Sequence, residues 1–185
     1  MGHPVREQFL AALLRFADEL ADDRLRASGF LLKLALLKPG SEVYHRYAQA
    51  LHSVVVDAQS GAVDLRFDMT VEDACRQFGK GDVAVYLLDE IFDRTLKMDR
   101  ERKYCMRFLR PLIDSARIDV EITVYGPSYQ KKLAQIPYRL EESGYPEAHP
   151  GGILMACPTL NDLKYGAPLN GQALRNYLAE AQHEQ

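Results

Sequence analysis

Tryptophan is missing altogether, and cysteine occurs only three times. Cys75, Cys105 and Cys157 are odd in number, far apart, and form no Cys-x-x-Cys pair. That pattern speaks against a disulfide framework and a zinc ribbon, and sets a reducing compartment as the expectation. Long apolar runs are lacking too. The longest, Phe30 to Leu37, is eight residues and already includes Lys33, far short of the ~20 residues a membrane span needs. Neither sign of charge dominates: 23 Lys and Arg face 26 Asp and Glu, a net charge of −3. Bulk electrostatic capture of nucleic acid is thereby excluded, though a local basic patch is not. No Gly-x-Gly-x-x-Gly occurs, and Gly79-Lys80-Gly81 does not match a phosphate loop. The N-terminus has no secretory pattern, and Arg6 stands where a myristoylation signal wants Ser or Thr. The expectation is a soluble cytoplasmic chain without a membrane partner.

What is present describes a globular protein. A hydrophobic fraction of 47% and a charged fraction of 26% over 185 residues suit one domain with an ordinary core. Residues 1–60 read as helical. Phe9, Leu10, Leu13, Phe16, Ala17 and Leu20 share one face of a helix from Val5 to Leu20. A second helix is expected from Asp22-Asp23 to Lys38-Pro39-Gly40. A third starts at Ser41, with Val43, Tyr47, Ala50, Leu51, Val54 and Ala58 inward.

Residues 61–185 mix both kinds of element. Val63, Leu65, Phe67 and Met69 alternate with Asp64, Arg66 and Asp68, the period of a half-exposed strand. Thr70 to Asp73 has capping-box spacing ahead of a short helix, Val71–Phe78. Residues 82–98 keep helical spacing, although Val83–Leu88 also reads as a strand. A helix over 99–116, interrupted at Pro111, sets Cys105, Leu109, Leu112 and Ile113 against Arg100, Lys103, Arg107 and Arg110. Ile118, Val120, Ile122 and Val124 then alternate with Asp119, Glu121, Thr123 and Tyr125 in a second strand. Gly126-Pro127-Ser128 breaks it, and Tyr129, Leu133 and Ile136 take helical spacing behind Lys131 and Lys132. Nine of the glycines and prolines fall in residues 144–171, against twelve in the rest of the chain, which marks a loop region around one short strand, Ile153–Cys157. Asn170-Gly171 opens a closing helix that buries Leu174, Leu178 and Ala181. The fold class is α+β: a helical N-terminal half packed on a small mixed or antiparallel sheet of three or more strands.

Several constellations bear on chemistry. Asp64, Asp119 and Glu121 occupy the polar faces of two strands. If those strands are neighbours, the carboxylates converge, and a divalent cation bridging them is the usual basis for phosphodiester cleavage, with Lys131 to stabilise developing charge. The same alternation also describes the solvated face of a sheet, and the residue two after Glu121 is Thr123 rather than lysine. Arg100, Lys103, Arg107 and Arg110 form a basic face suited to phosphates or to an acidic protein, diluted by Asp99, Glu101 and Asp114. Glu42 with His45 and Glu180 with His183 have the Glu-x-x-His spacing of di-iron bundles, but strands interrupt any bundle here, and no metal ligand set is assigned. Cys157 ends an apolar run and reads as packing rather than as a nucleophile partnered by His149.

Function is therefore read as non-enzymatic: a binding or regulatory protein that recognises a protein partner without a cofactor. Tyr145, His149, Asn161, Asp162 and Tyr165 in the loop region supply the recognition surface. The alternatives are a divalent-metal-dependent phosphodiesterase or nuclease on the strand carboxylates, and nucleic-acid binding through the basic face at 97–110. Self-association remains open.

Overall fold

The computed structural model describes residues 6–21, 36–145 and 151–183. A helical N-terminal part leads into a four-stranded mixed sheet, so the class is α+β as the patterning implies. Helix α1 runs Glu7–Leu20 and buries Ala12 and Phe16. The helix expected at 22–37 falls largely outside the described residues. A 3-10 turn, Pro39–Ser41, leads into α2, Glu42–Ala50.

The third helix expected from Ser41 to Ala58 stops at Ala50, and β1 takes over at Leu51–Asp57. Val54-Val55-Val56 explains the switch. Three β-branched side chains in a row are stiff at χ1 and suit a pleated strand better than a helix. Strand β2, Ala62–Thr70, follows as read, and Thr70 caps α3, Val71–Cys75, by accepting the Asp73 amide at 3.2 Å. The short helix ends before Phe78. Gln77–Lys80 and Val83–Tyr86 form a separate hairpin, β3 and β4. Gly81 turns it at φ +60°, a conformation that glycine adopts without a Cβ penalty.

Helix α4 spans Leu87–Leu109, about 34 Å at 1.5 Å per residue. It stops before Pro111, whose ring disfavours helical geometry in the residue ahead of it. Strands β5, Arg117–Tyr125, and β6, Lys132–Glu141, complete the sheet. The helix expected behind Gly126-Pro127-Ser128 is thus a strand. Ala134, Ile136, Tyr138 and Leu140 are buried on alternate positions, and this longer period-2 run overrides the spacing of Tyr129, Leu133 and Ile136. Gly126 and Lys131 close the turn through a 2.8 Å backbone bond, so Ser128 caps no helix there. The strand expected at Ile153–Cys157 is a single helical turn, α5, Ile153–Ala156, followed by a 3-10 turn at Pro158–Asp162. The closing helix α6, Gly171–His183, is capped by Asn170, whose side chain accepts the Ala173 amide at 2.9 Å. Leu174 and Leu178 are buried there, and Ala181 is half-buried. Gly171 permits a close approach: a Cβ would lie 2.1 Å from Tyr86 Cβ.

The sheet order is β1-β2-β5-β6, antiparallel at both outer pairs and parallel between β2 and β5. Its inner face, Val63, Leu65, Phe67, Ile118, Val120, Ile122, Ile136 and Tyr138, joins one core with α1, α2 and α4. Helix α4 brings charge into that core. Arg102 is fully buried, with Nη2 2.7 Å from Asp99 Oδ1 and Nη1 donating to the Ser115 carbonyl. Lys103 Nζ lies 2.7 Å from Asp99 Oδ2 and 2.8 Å from Ser143 Oγ. One turn from the other end, buried Glu90 takes Lys80 Nζ and Arg94 Nε, each at 2.7 Å. Such clusters add little net stability over an apolar core, yet breaking one strands a charge. Arg102→Met is expected to cost about 3 kcal/mol, and the triple change Arg102→Met, Asp99→Leu and Lys103→Met, which leaves none of the three charges behind, less than the single change. Urea unfolding of the two variants checks the order.

Candidate functional site

The strands that carry the carboxylates are neighbours. β2 and β5 pair in parallel with Asp64 beside Asp119, Arg66 beside Glu121 and Asp68 beside Thr123. β6 adds Arg139 beside Asp119 and Pro137 beside Glu121. Because side chains alternate along each strand, these residues share the face turned away from the helices. Asp64, Arg66, Asp119, Glu121, Pro137 and Arg139 line a depression of about 500 Å³ together with Thr159.

Arginines interleave with the acids on that face. Asp119 accepts from Arg117 Nε at 2.8 Å and from Arg139 Nε across the strand pair. Glu121 Oε1 lies 3.7 Å from Arg66 Nη1. Asp68 Oδ2 is 3.2 Å from His52 Nδ1. Burial pushes the Asp119 carboxyl up, but hydrogen bonds and charge from Arg117 and Arg139 outweigh it and hold the group below its usual range. Lys131 is remote. It sits in the β5–β6 turn, and its neighbour Lys132 pairs with Tyr125, four rungs or about 13 Å along the strand from Glu121. Among the described residues, no group of three His, Cys, Asp or Glu could hold a metal ion. The carboxylates converge, as adjacency requires, but they converge on guanidinium groups.

The basic face of α4 is not continuous. Arg100 is exposed and donates to the Gly151 carbonyl at 3.0 Å, whereas Lys103 is buried with Asp99. Arg110 is bridged to Asp114 at 2.7 Å and to Glu142 at 3.1 Å. Arg107 remains exposed, its guanidinium 5.2 Å from the Tyr145 ring centre and 5.7 Å from that of Phe108. Tyr145 packs edge-on against Tyr104 at 5.6 Å, so one loop residue and one helix arginine do meet in an exposed aromatic patch. Tyr165 is buried, donating no surface: its Oη accepts the Gln135 amide at 3.1 Å and its ring meets Tyr177. Asn161 is exposed, and His149 lies outside the described residues, as does the side chain of Asp162.

Reading from patterns missed the cavity around Glu90. Asp18, Glu19, Tyr47, Lys80, Glu90, Asp93, Arg94 and Lys97 line about 330 Å³ between α1 and α4, and Arg94 lies 4.6 Å from the Tyr47 ring centre. A signal was available: Glu90 interrupts the apolar group Leu87, Leu88, Ile91 and Phe92.

Residues 1–97 match a family model described as HD-CE, more than half of the chain, and the chain belongs to that family. No curated protein and no solved structure matches it. The match takes in α1 through the first half of α4, and so the Glu90 cavity, but not β5 or β6.

The depressed Asp119 carboxyl has a consequence for stability. Its contribution is complete above the unfolded aspartate value of about 3.9 and is lost as pH falls through the lower folded value. Asp119→Asn is therefore expected to flatten the acid limb of melting temperature against pH, with little change in shape at neutral pH.

Proposed function

We propose that this member of the HD-CE family is a non-enzymatic binding or regulatory protein that recognises a protein partner. The observation that carries the reading is the pairing of strand carboxylates with arginines: Asp119 with Arg117 and Arg139, and Glu121 with Arg66. Bridged acids of this kind are poor metal ligands, since a cation must first displace a guanidinium that already neutralises them. A charge-balanced lattice instead offers both signs to a complementary surface, which favours specificity and register in docking. Tyr145 with Arg107, Arg100 and Asn161 are the proposed contact residues at the loop end. Exposed aromatic and arginine side chains of this kind are those that interfaces favour.

The second reading is divalent-metal-dependent phosphodiesterase chemistry, favoured by the family, since HD-like domains are of the metal-dependent phosphohydrolase type. The described residues of this chain do not fit such a metal. His52 with Asp68 is a pair, not a ligand set. Nucleic-acid binding through residues 97–110 is disfavoured by the burial of Lys103 and the bridging of Arg110, which leave too few free cations in a row to track phosphates.

Thermal denaturation with and without Mg²⁺ and Mn²⁺ separates the first two, because a ligand of the folded state alone raises the melting temperature. The expected outcome is no shift in the parent or in Glu121→Ala, and no hydrolysis of bis(p-nitrophenyl) phosphate. A shift in the parent that disappears in Glu121→Ala would promote the enzymatic reading. For the third, Arg107→Ala and Arg110→Ala should leave retention on a polyanion column at low salt unchanged.

A further inference from the structure

The two edges of the sheet are treated differently. β6 is blocked as a template for another strand. Pro137 in its middle has no amide hydrogen, and the Gln135 amide is taken by Tyr165 Oη at 3.1 Å. The 3-10 turn at Pro158–Asp162 packs against the same strand. At the opposite edge, β1 has a strand partner on one side alone, among the described residues. Val55 is 51% exposed and Val56 55%. Consecutive residues of a strand point to opposite faces, so the edge is open on both flanks at this point. β1 contains no proline and no lysine, two of the usual devices that keep an edge from pairing. Its one acid, Asp57, is turned into its own hairpin, where it accepts the amides of Gln59 and Ser60 and the Ser60 hydroxyl.

We propose that β1 is a dimerisation edge that pairs antiparallel with β1 of a second copy of this chain, joining the two sheets about a two-fold axis at Val55. The strand is self-complementary in that register. Val54-Val55-Val56 reads the same in both directions, so Val55 meets itself and Val54 meets Val56 of the other copy, as an isologous contact demands. Two rungs out, Ser53 faces Asp57 of the other copy, with His52 beside it. The bulge between Leu51 and Ser53 sets His52 next to Ser53 at the edge. Asp57 keeps its carboxylate in its own hairpin and His52 its ring 3.2 Å from Asp68 Oδ2 of the same copy, so each end sets the Ser53 hydroxyl beside an internally bonded acid. No like charges are opposed, and the β-branched cross-strand pairs at the centre support pairing.

Sedimentation velocity of the full chain from about 1 µM to about 200 µM, a range set by the weak affinity expected of edge pairing alone, tests the inference. The parent is expected to pass from monomer to dimer across this range. Val55→Lys places two ammonium groups face to face and should move the midpoint up at least about tenfold. Val83→Lys, at a position 60% exposed on β4, should leave it unchanged. Circular dichroism and melting temperature confirm that each variant folds. In a second arm, Val55→Cys should cross-link under mild oxidation as a symmetric dimer, and Val83→Cys should not. A parent that stays monomeric throughout overturns the inference, whether the edge is then covered by another part of this chain or by a different protein. A dimer unmoved by Val55→Lys overturns it as well.

Discussion

The parallel pairing of β2 with β5 is the constraint on which the rest of this structure depends. Parallel neighbours cannot be joined by a tight turn, so the chain must leave the end of β2, cross the sheet and return to its start. Here the crossover is α3, the β3–β4 hairpin and the 23 residues of α4. It lies over the inner face, where α4 meets β6 through Thr95 and Tyr138, whose hydroxyls are 2.8 Å apart, and through Phe92, edge-on to the same ring. One face of the sheet is thereby sealed. Among the described residues, the other has no helix of comparable length against it.

That asymmetry sorts the charged residues. On the sealed side a charge survives where its partner sits within a turn of the same helix, as in Asp99 with Arg102 and Lys103, or Glu90 with Arg94. Spacings of three and four place such side chains on one helix face, so their geometry is set before the sheet arrives. On the open side, apart from Arg117 with Asp119 on β5, the partners come from different strands. Arg139 and Asp119 are 20 positions apart in the chain and meet because β5 and β6 pair in that register. A slip of one residue would turn Asp119 and Glu121 into the core and Val120 out to water. The register that protects the hydrophobic core thus also builds the charge lattice.

The pairing has a further effect at the sheet's margins. β6 follows β5 by a short turn, and the chain beyond it doubles back to cover that edge with Pro158–Asp162 and Tyr165. β1 precedes β2 and has no later segment returning to it among the described residues. Among the described residues the sheet is thus covered at one edge and has no further strand at the other, and the HD-CE family match covers the half of the chain that contains the latter.

Local periodicity by itself determined α1, β2, β5, the Thr70 and Asn170 caps and the α+β class, because in each the pattern is long and unopposed by another period. The neutral charge balance and the scattered cysteines were likewise plain without a structure. Tertiary context decided the rest. Within the stretches Ser41 to Ala58 and Tyr129 to Ile136 the apolar spacing is compatible with either period, and pairing with β2 and with β5 selected the strand from Leu51 and from Lys132 onward. Whether Asp64, Asp119 and Glu121 gather cations or arginines depended on which strands lie side by side and in what register. That is a contact between segments more than 50 residues apart, and no local pattern records it. Lys103 and Tyr165 were read as surface because charge and a hydroxyl tend to face water. They are buried because Asp99 and the Gln135 amide offer each of them a partner inside, and a partner is what makes a polar group tolerable in a core.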